Sequence, residues 1–168
     1  MKTAISALRH AAEETDLALR ERFGQAGPFI HFESGYTATV VNSLTQLTQG
    51  SLYEPYPLVA VFTEGLVETR GKWLLDIFVP KTIIAVRAVE NLTEAQRLES
   101  SFEQYLHPIY EEFERQLRRM HFGYGMEVSR SDVPYYTESG SQAGTFNDLL
   151  DGIIIRNLHM KLLPDPEC

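Results

Sequence analysis

The sequence predicts an α+β fold, in which a mostly antiparallel sheet packs against an N-terminal helix and a long kinked helix. The helices are indicated by apolar residues that recur every three or four positions near the N-terminus and again over residues 98–120. The sheet is indicated by short apolar runs and by period-two alternation in much of the remaining chain. The chain has 168 residues, 43% of them hydrophobic, which suits one core. We therefore expect a single domain over residues 1–168.

The first predicted element is an amphipathic helix that Gly24 can end in a left-handed conformation. Its apolar side is formed by Ile5, Leu8, Ala12, Leu19 and Phe23.

A strand comes next, because Ile30 and Phe32 alternate with polar residues. Residues 36–49 fit two patterns. Four β-branched residues near the start are typical of a strand, whereas Val41 and Leu44 also fit a helical stripe. Both interpretations stay open, and we favour a strand that runs into a turn of helix.

Residues 58–64 and 73–79 predict the two strands of a β-hairpin, since Gly65 and a second glycine in the connection can adopt positive φ values. The apolar run then continues through Pro80. One unbroken strand of that length would span roughly 55 Å, which is too long for this domain. Because proline has no N–H for the sheet ladder, we expect a bulge or a change of direction at Pro80 and a further strand at 82–89.

The long helix begins with a capping box formed by Thr93 and Gln96, and apolar residues at helical spacing extend it to Met120. Pro108 removes one backbone donor and crowds the carbonyl of Gln104. We therefore expect a kink that bends the helix over the sheet.

Residues 121–151 are rich in glycine and aromatic residues and show no period, so they predict a long loop. The chain from residue 152 to 163 predicts a half-buried final strand, with Ile154 and Leu158 on one side. Residues 164–168 are expected to be a flexible tail.

Composition disfavours several classes of function. No apolar stretch approaches the roughly 20 residues that span a bilayer, so no membrane partner is expected. The N-terminus becomes charged too early for a signal peptide, which favours an intracellular protein. A formal charge of −8 disfavours sequence-specific nucleic-acid binding. The single cysteine, Cys168, excludes an internal disulfide and a cysteine-based metal site.

No familiar catalytic motif is present: the chain lacks GxSxG, a phosphate-binding glycine loop and a dinucleotide fingerprint. His107 and Glu111 lie four apart on the long helix, but such pairs are common on solvated helix faces. Asp148 and Asp151 are more typical of a cap or turn before the last strand than of a cation site. We expect no catalytic residues, no cofactor and no metal, and thus no enzyme.

Four tyrosines are the candidate functional residues: Tyr53, Tyr56, Tyr135 and Tyr136. Tyrosine contributes a large amphipathic area to protein interfaces, and both pairs lie beside prolines that stiffen the chain. They either form a protein interface or cover an edge of the sheet.

The segments "YPLVAVF", "PKTIIA", "LHPIYEEFERQL" and "FNDLLDGIIIRNL", in this order, resemble predicted virion proteins encoded by prophages of gut bacteria, over roughly residues 25–163. More remotely, the chain is similar to the tail terminator and tail completion proteins that join head and tail in long-tailed phages. The resemblance implies a phage structural protein of the neck or tail that forms a ring homo-oligomer, hexameric in the terminator family. Its partners would be itself and other phage tail or connector proteins, in the bacterial cytoplasm during assembly and then in the virion.

An alternative function remains open at the level of sequence: a soluble enzyme or small-ligand-binding module. Its pocket would lie between the sheet and the 121–151 loop, where His107, His121 and acidic side chains would converge.

Overall fold

The computed structural model describes residues 3–50, 55–89, 91–136 and 150–163. The helices are α1 (Ala4–Leu19), α2 (Thr37–Gly50), α3 (Glu94–Arg97) and α4 (His107–Met120), and a π-helical segment (Leu98–Leu106) joins α3 to α4. The strands are β1 (His31–Gly35), β2 (Leu58–Phe62), β3 (Val67–Arg70), β4 (Leu75–Arg87), β5 (Glu127–Tyr136) and β6 (Leu150–Leu162).

The six strands of the described residues form one sheet in the order β1-β2-β4-β6-β5, with β3 also paired to β4. β1 and β2 are parallel, and the other pairs are antiparallel. The prediction of an α+β fold with a mostly antiparallel sheet is therefore confirmed. No helix of the described residues is long and apolar enough to cross a membrane.

Helices cover both faces of the sheet. Side chains of α1, the π-helical segment and α4 share the larger buried cluster with one face. The smaller cluster, on the other face, contains Val41 and Leu44 of α2 together with Phe62 and Ile83. Burial against the sheet therefore decides the conformation of residues 37–50, which form a helix. The favoured interpretation, a strand that runs into a turn of helix, was wrong in its strand part.

Both predicted capping motifs are confirmed. Gly24 has a φ of 62°, and the backbone N–H groups of Gly24 and Gln25 donate to the carbonyls of Glu21 and Arg20, which closes the turn after α1 in a Schellman motif. Thr93 and Gln96 form the capping box at the start of α3.

The predicted hairpin has a different partner strand. β2 pairs with residues 81–85 of β4, while β3 lies end to end with β2 and pairs with residues 75–78. Gly65, with a φ of 74°, lies in the short turn between β2 and β3. β3 was not predicted because its residues, VETR, are mostly polar and exposed, so they show no apolar run or alternation.

The irregularity expected at Pro80 is present, but it does not end the strand. β4 runs continuously over Leu75–Arg87. The face that joins the larger cluster changes parity across Pro80, since Val79 and Ile84 both belong to it. Asn157 of β6, opposite in the ladder, has a φ of 55°, and the β5–β6 register shifts beside it. Both strands are therefore irregular at the same level of the sheet, and β4 continues past it, so no separate strand begins at residue 82.

The disturbance expected from Pro108 takes the form of the π-helical segment. The backbone N–H of His107 donates to the carbonyl of Phe102, five residues earlier, instead of four. Wider turns before the proline accommodate its missing donor and its ring.

The predicted long loop at 121–151 was wrong over much of its length. Residues 127–136 form β5, an outer strand paired with β6, and β6 itself begins at Leu150. Most described side chains of β5 are exposed, so no apolar alternation marked it in the sequence. The predicted tail, 164–168, lies outside the described residues.

Candidate functional site

A groove at one end of the sheet brings together aromatic, apolar and charged side chains from separate segments. It lies between α1, the chain leading into β1, the start of β2 and the π-helical segment, and its volume is about 590 Å³. Its lining includes Arg9, Glu13, Phe29, His31, Tyr56 and Tyr105. We refer to it as the aromatic groove.

Aromatic rings form one wall of the groove. Phe23 stacks on Tyr105, with ring centroids 5.4 Å apart and planes 13° apart, and also contacts Phe29 at 5.5 Å. The guanidinium of Arg9 lies 5.0 Å from the centre of the Phe32 ring. The wall therefore offers flat apolar surface with a positive charge beside it, which suits an incoming aromatic side chain.

Asp16 holds the shape of the groove. Its side chain is buried, and Oδ1 accepts hydrogen bonds from the backbone N–H groups of Phe29 and Ile30, each at 2.7 Å. Oδ2 accepts from Arg20 at 2.8 and 2.6 Å. Since all of these contacts are internal, Asp16 fixes the chain before β1 and does not act as a free carboxylate.

The π-helical segment places Tyr105 at the groove, where it is 41% exposed. Tyr56, Pro57 and Tyr105 also line a neighbouring concavity of about 220 Å³, which continues past Val86 and Val89. The two concavities share these three residues and form one continuous surface. π-helical turns inside longer helices often occur at functional sites, and here the turns present an aromatic ring to solvent.

Of the four candidate tyrosines, only Tyr56 can be placed by its side chain. It is half-buried, packs against the smaller cluster and lines the aromatic groove. Tyr53 lies outside the described residues. For Tyr135 and Tyr136 the structure describes the backbone alone, in the last part of β5. The structure therefore brings Tyr56 together with aromatic residues that the sequence did not single out, above all Phe23, Phe29 and Tyr105.

His107 and His121, which were expected to converge on one pocket, lie far apart. These residues flank α4 at its two ends, about 21 Å apart for a helix of 14 residues. Nε2 of His107 lies 2.7 Å from Asp132 of β5, while Nδ1 of His121 accepts from the backbone N–H of Lys161. The two histidines therefore fasten β5 and β6 to the helix layer and cannot converge on one ligand.

A polar cluster on the outer side of α4 connects the helix with β5. Arg130 of β5 lies 4.7 Å from the ring centre of Tyr110. Burial, together with a hydrogen bond to Glu114, raises the pKa of Tyr110. Partial burial works to raise the pKa of Glu114, but hydrogen bonds from Tyr110 and Arg118 hold that pKa below its ordinary value. Within the described residues, no three potential ligands are placed to hold a metal ion.

Asp151 does not cap a turn, contrary to prediction. It lies in β6, fully buried, and Nη1 of Arg97 contacts its two carboxylate oxygens at 3.0 and 2.9 Å. Nη2 of Arg97 also donates to the carbonyl of Val89. This ion pair joins α3 to the end of β4 and the start of β6. Asp148 lies outside the described residues.

The opposite end of the sheet carries an exposed aromatic residue. The turn between β3 and β4, residues 71–74, is closed by a hydrogen bond from the Gly71 N–H to the Leu74 carbonyl. Trp73 in this turn is 70% exposed, and Nζ of Lys72 lies 5.0 Å from its ring centre. We call Lys72 and Trp73 the hairpin tip. Because β4 has 13 residues, its two ends, and thus the tip and the groove, are roughly 40 Å apart.

Compared with protein-family models and with curated proteins, the chain finds no match.

Proposed function

We propose that this chain is a structural protein of the neck or tail of a phage or prophage, of the tail terminator or head-tail joining type. It acts by assembling into a ring and docking other virion proteins, without a catalytic step. The resemblance of the sequence to prophage virion proteins supports this class. The assembly takes place in the bacterial cytoplasm, and the product is part of the virion.

The observation that carries the proposal is the pair of unlike surfaces at the two ends of the sheet. A ring built by head-to-tail contacts needs two different surfaces on each subunit, which meet across every interface. The aromatic groove is concave and the hairpin tip projects, so the two can serve as opposite sides of one repeated contact. Rigid strands between them fix their separation, which a closed ring requires.

The charge of the chain supports the same proposal. A ring that joins head and tail surrounds DNA as it passes, and a net charge of −8 makes persistent binding of phosphates unfavourable. Among the described strands, the outer edge of β5 has no paired neighbour and carries Arg130 and Asp132, which discourage indiscriminate pairing of edges. Subunits are therefore expected to associate through the aromatic groove and the hairpin tip and not through the edge of β5.

A second candidate function, a small-ligand-binding module, is favoured by the size of the groove alone. A volume of about 590 Å³ is within the range of small-molecule sites, roughly 300–1,000 Å³. Its location differs from the pocket expected beside the 121–151 segment.

Native mass spectrometry of the purified protein separates the two functions. Ring assembly predicts one dominant closed oligomer with an integral multiple of the subunit mass and no added mass. A monomer that carries the extra mass of a small molecule would favour the ligand module. A monomer without added mass, at every concentration and in the presence of other virion proteins, would contradict the proposed function.

A further inference from the structure

We infer that the hairpin tip of one copy of this chain inserts into the aromatic groove of the next copy, so that Lys72 and Trp73 are the central contact of the subunit interface. This inference rests on the proposed function and specifies its interface. The partner surface is a second copy of the same chain.

Trp73 is a large aromatic residue exposed at the hairpin tip. Tryptophan buries about 150–250 Å² when it is enclosed, and it is among the commonest residues that dominate binding at interfaces. Here its ring is 70% exposed, at a turn that projects from the end of the sheet. Burying this large apolar ring against a partner is favourable, because the side chain of Lys72 above it cannot exclude water from both ring faces.

The groove has the size and the aromatic lining to receive an indole ring. In its wall, Phe23 contacts both Phe29 and Tyr105, and the groove volume of about 590 Å³ admits an indole ring. Offset or edge-to-face contacts between aromatic rings are favourable beyond the area they bury. The internal hydrogen bonds of Asp16 fix the wall before a partner arrives, which reduces the ordering that binding requires.

The hairpin tip and the rim of the groove carry opposite charges at Lys72 and Glu13. Lys72 is adjacent to Trp73 in the hairpin tip, and the groove has an exposed acidic residue, Glu13, on its α1 side. Asp16 and Arg20, also in the lining, pair with each other, so Glu13 is the carboxylate available at the surface of the groove for an incoming cation. A contact between Lys72 of one copy and Glu13 of the next fixes orientation and excludes the reverse docking.

The fold keeps the hairpin tip and the groove of one subunit apart. The tip and the groove are roughly 40 Å apart at opposite ends of β4, so they cannot meet within one subunit. They can meet only between copies, and the contact is head to tail. Repetition of such a contact produces a closed ring or an open filament, depending on the rotation it imposes.

The fluorescence of Trp73 tests the inference directly, because it is the only tryptophan in the chain. As the concentration of the wild-type protein is raised through the association range, the emission should shift to shorter wavelength and quenching by acrylamide should weaken. An emission that stays solvent-exposed in the assembled protein would overturn the inference. Shielding that is already complete in the dilute monomer would overturn it too, since another part of the same chain would then cover the ring.

Sedimentation of variants provides the energetic test. Trp73→Ser should raise the dissociation constant by about 30-fold or more, as expected for a central interface residue. Tyr124→Ser is the matched control, because Tyr124 is fully exposed on a different loop and should leave the constant within about 2-fold. Circular dichroism of both variants establishes that the fold is unchanged.

A charge exchange tests the predicted pairing. Lys72→Glu and Glu13→Lys should each weaken association several-fold, and the double variant should recover most of the loss. If the wild type forms rings and none of these changes affects them, the tip-in-groove contact is wrong while the proposed function stands. If the wild type never associates, both are wrong.

Discussion

The buried ion pair between Arg97 and Asp151 provides the sharpest prediction about the scaffold. The two residues are 2% and 0% exposed, and they join elements that are 54 positions apart in the chain. Asp151→Asn keeps the shape of the side chain but removes its charge, so the buried guanidinium of Arg97 loses the carboxylate that it contacts. Removing one partner of a buried pair typically costs about 3–5 kcal/mol.

Because asparagine retains an acceptor oxygen for Arg97, we expect the lower end of this range, about 3 kcal/mol. For a chain of 168 residues, that loss lowers the melting temperature by roughly 6–12 °C. The assay is urea denaturation followed by far-UV circular dichroism, with the free energy of unfolding taken from the midpoint and the slope.

Two further variants make the result interpretable. Arg118→Ala removes the surface ion pair with Glu114, in which the Arg118 side chain is 52% exposed. This change should lower the free energy of unfolding by less than about 1 kcal/mol. Arg97→Met combined with Asp151→Leu removes both buried charges and should be clearly more stable than Asp151→Asn. If Asp151→Asn is as stable as Arg118→Ala, the pair does not have the buried environment described above, and the reasoning is refuted.

Three other perturbations follow from single contacts. Gly152→Ala would place a methyl group 3.1 Å from Cδ1 of Ile83, and we expect a loss of about 1–3 kcal/mol in urea denaturation, partly recovered by Ile83→Val. If truncating an unrelated core residue restored the stability of Gly152→Ala as well as Ile83→Val does, a clash with Ile83 would not be the cause of the loss. Asp16→Asn weakens two charge-assisted hydrogen bonds, from the backbone N–H groups of Phe29 and Ile30. We expect the free energy of unfolding to fall by about 1.5–3 kcal/mol and these two amides to exchange hydrogen faster. Unchanged exchange would contradict the role assigned to Asp16. Since the pKa of Glu114 is lowered in the folded state, its contribution to stability is present above its ordinary value of 4.5 and disappears as the pH falls through the folded pKa. The stability difference between the wild type and Tyr110→Phe should therefore shrink in acid, and a difference independent of pH from 7 to 3 would contradict the linkage.

The sequence predicted those elements whose signals are local. The capping box at Thr93 and the left-handed Gly24 depend on neighbouring backbone groups, so both could be recognised from a few residues. The irregularity at Pro80 was also foreseeable, because a missing N–H is a property of the residue itself. Its form was not, since it depends on Asn157 in the partner strand.

Elements decided by tertiary contacts escaped prediction. Residues 37–50 fit strand and helix almost equally, and the helix prevails because Val41 and Leu44 are buried against the sheet. β5 has mostly exposed side chains, and it forms a strand because its backbone pairs with β6. Arg97 and Asp151 are far apart in sequence, and no local pattern reveals that they pair.

The candidate site was predictable to a small extent. Tyr56 and the proline-rich chain beside it indicated the end of the sheet at which the aromatic groove lies, through a general preference of tyrosine for interfaces. The groove also needs Phe23, Phe29 and Tyr105, which come from separate segments and whose apolar character equally suits a core. Trp73 was taken as part of a strand, and its exposure became evident only when the turn between β3 and β4 was located.

The central claim, that this chain functions by assembling with copies of itself, is tested most directly by electron microscopy of the purified protein at a concentration where it associates. The account predicts closed rings of one size in which the hairpin tip of each subunit meets the aromatic groove of its neighbour. Single, unassociated subunits under all conditions, with or without other virion proteins, would contradict it.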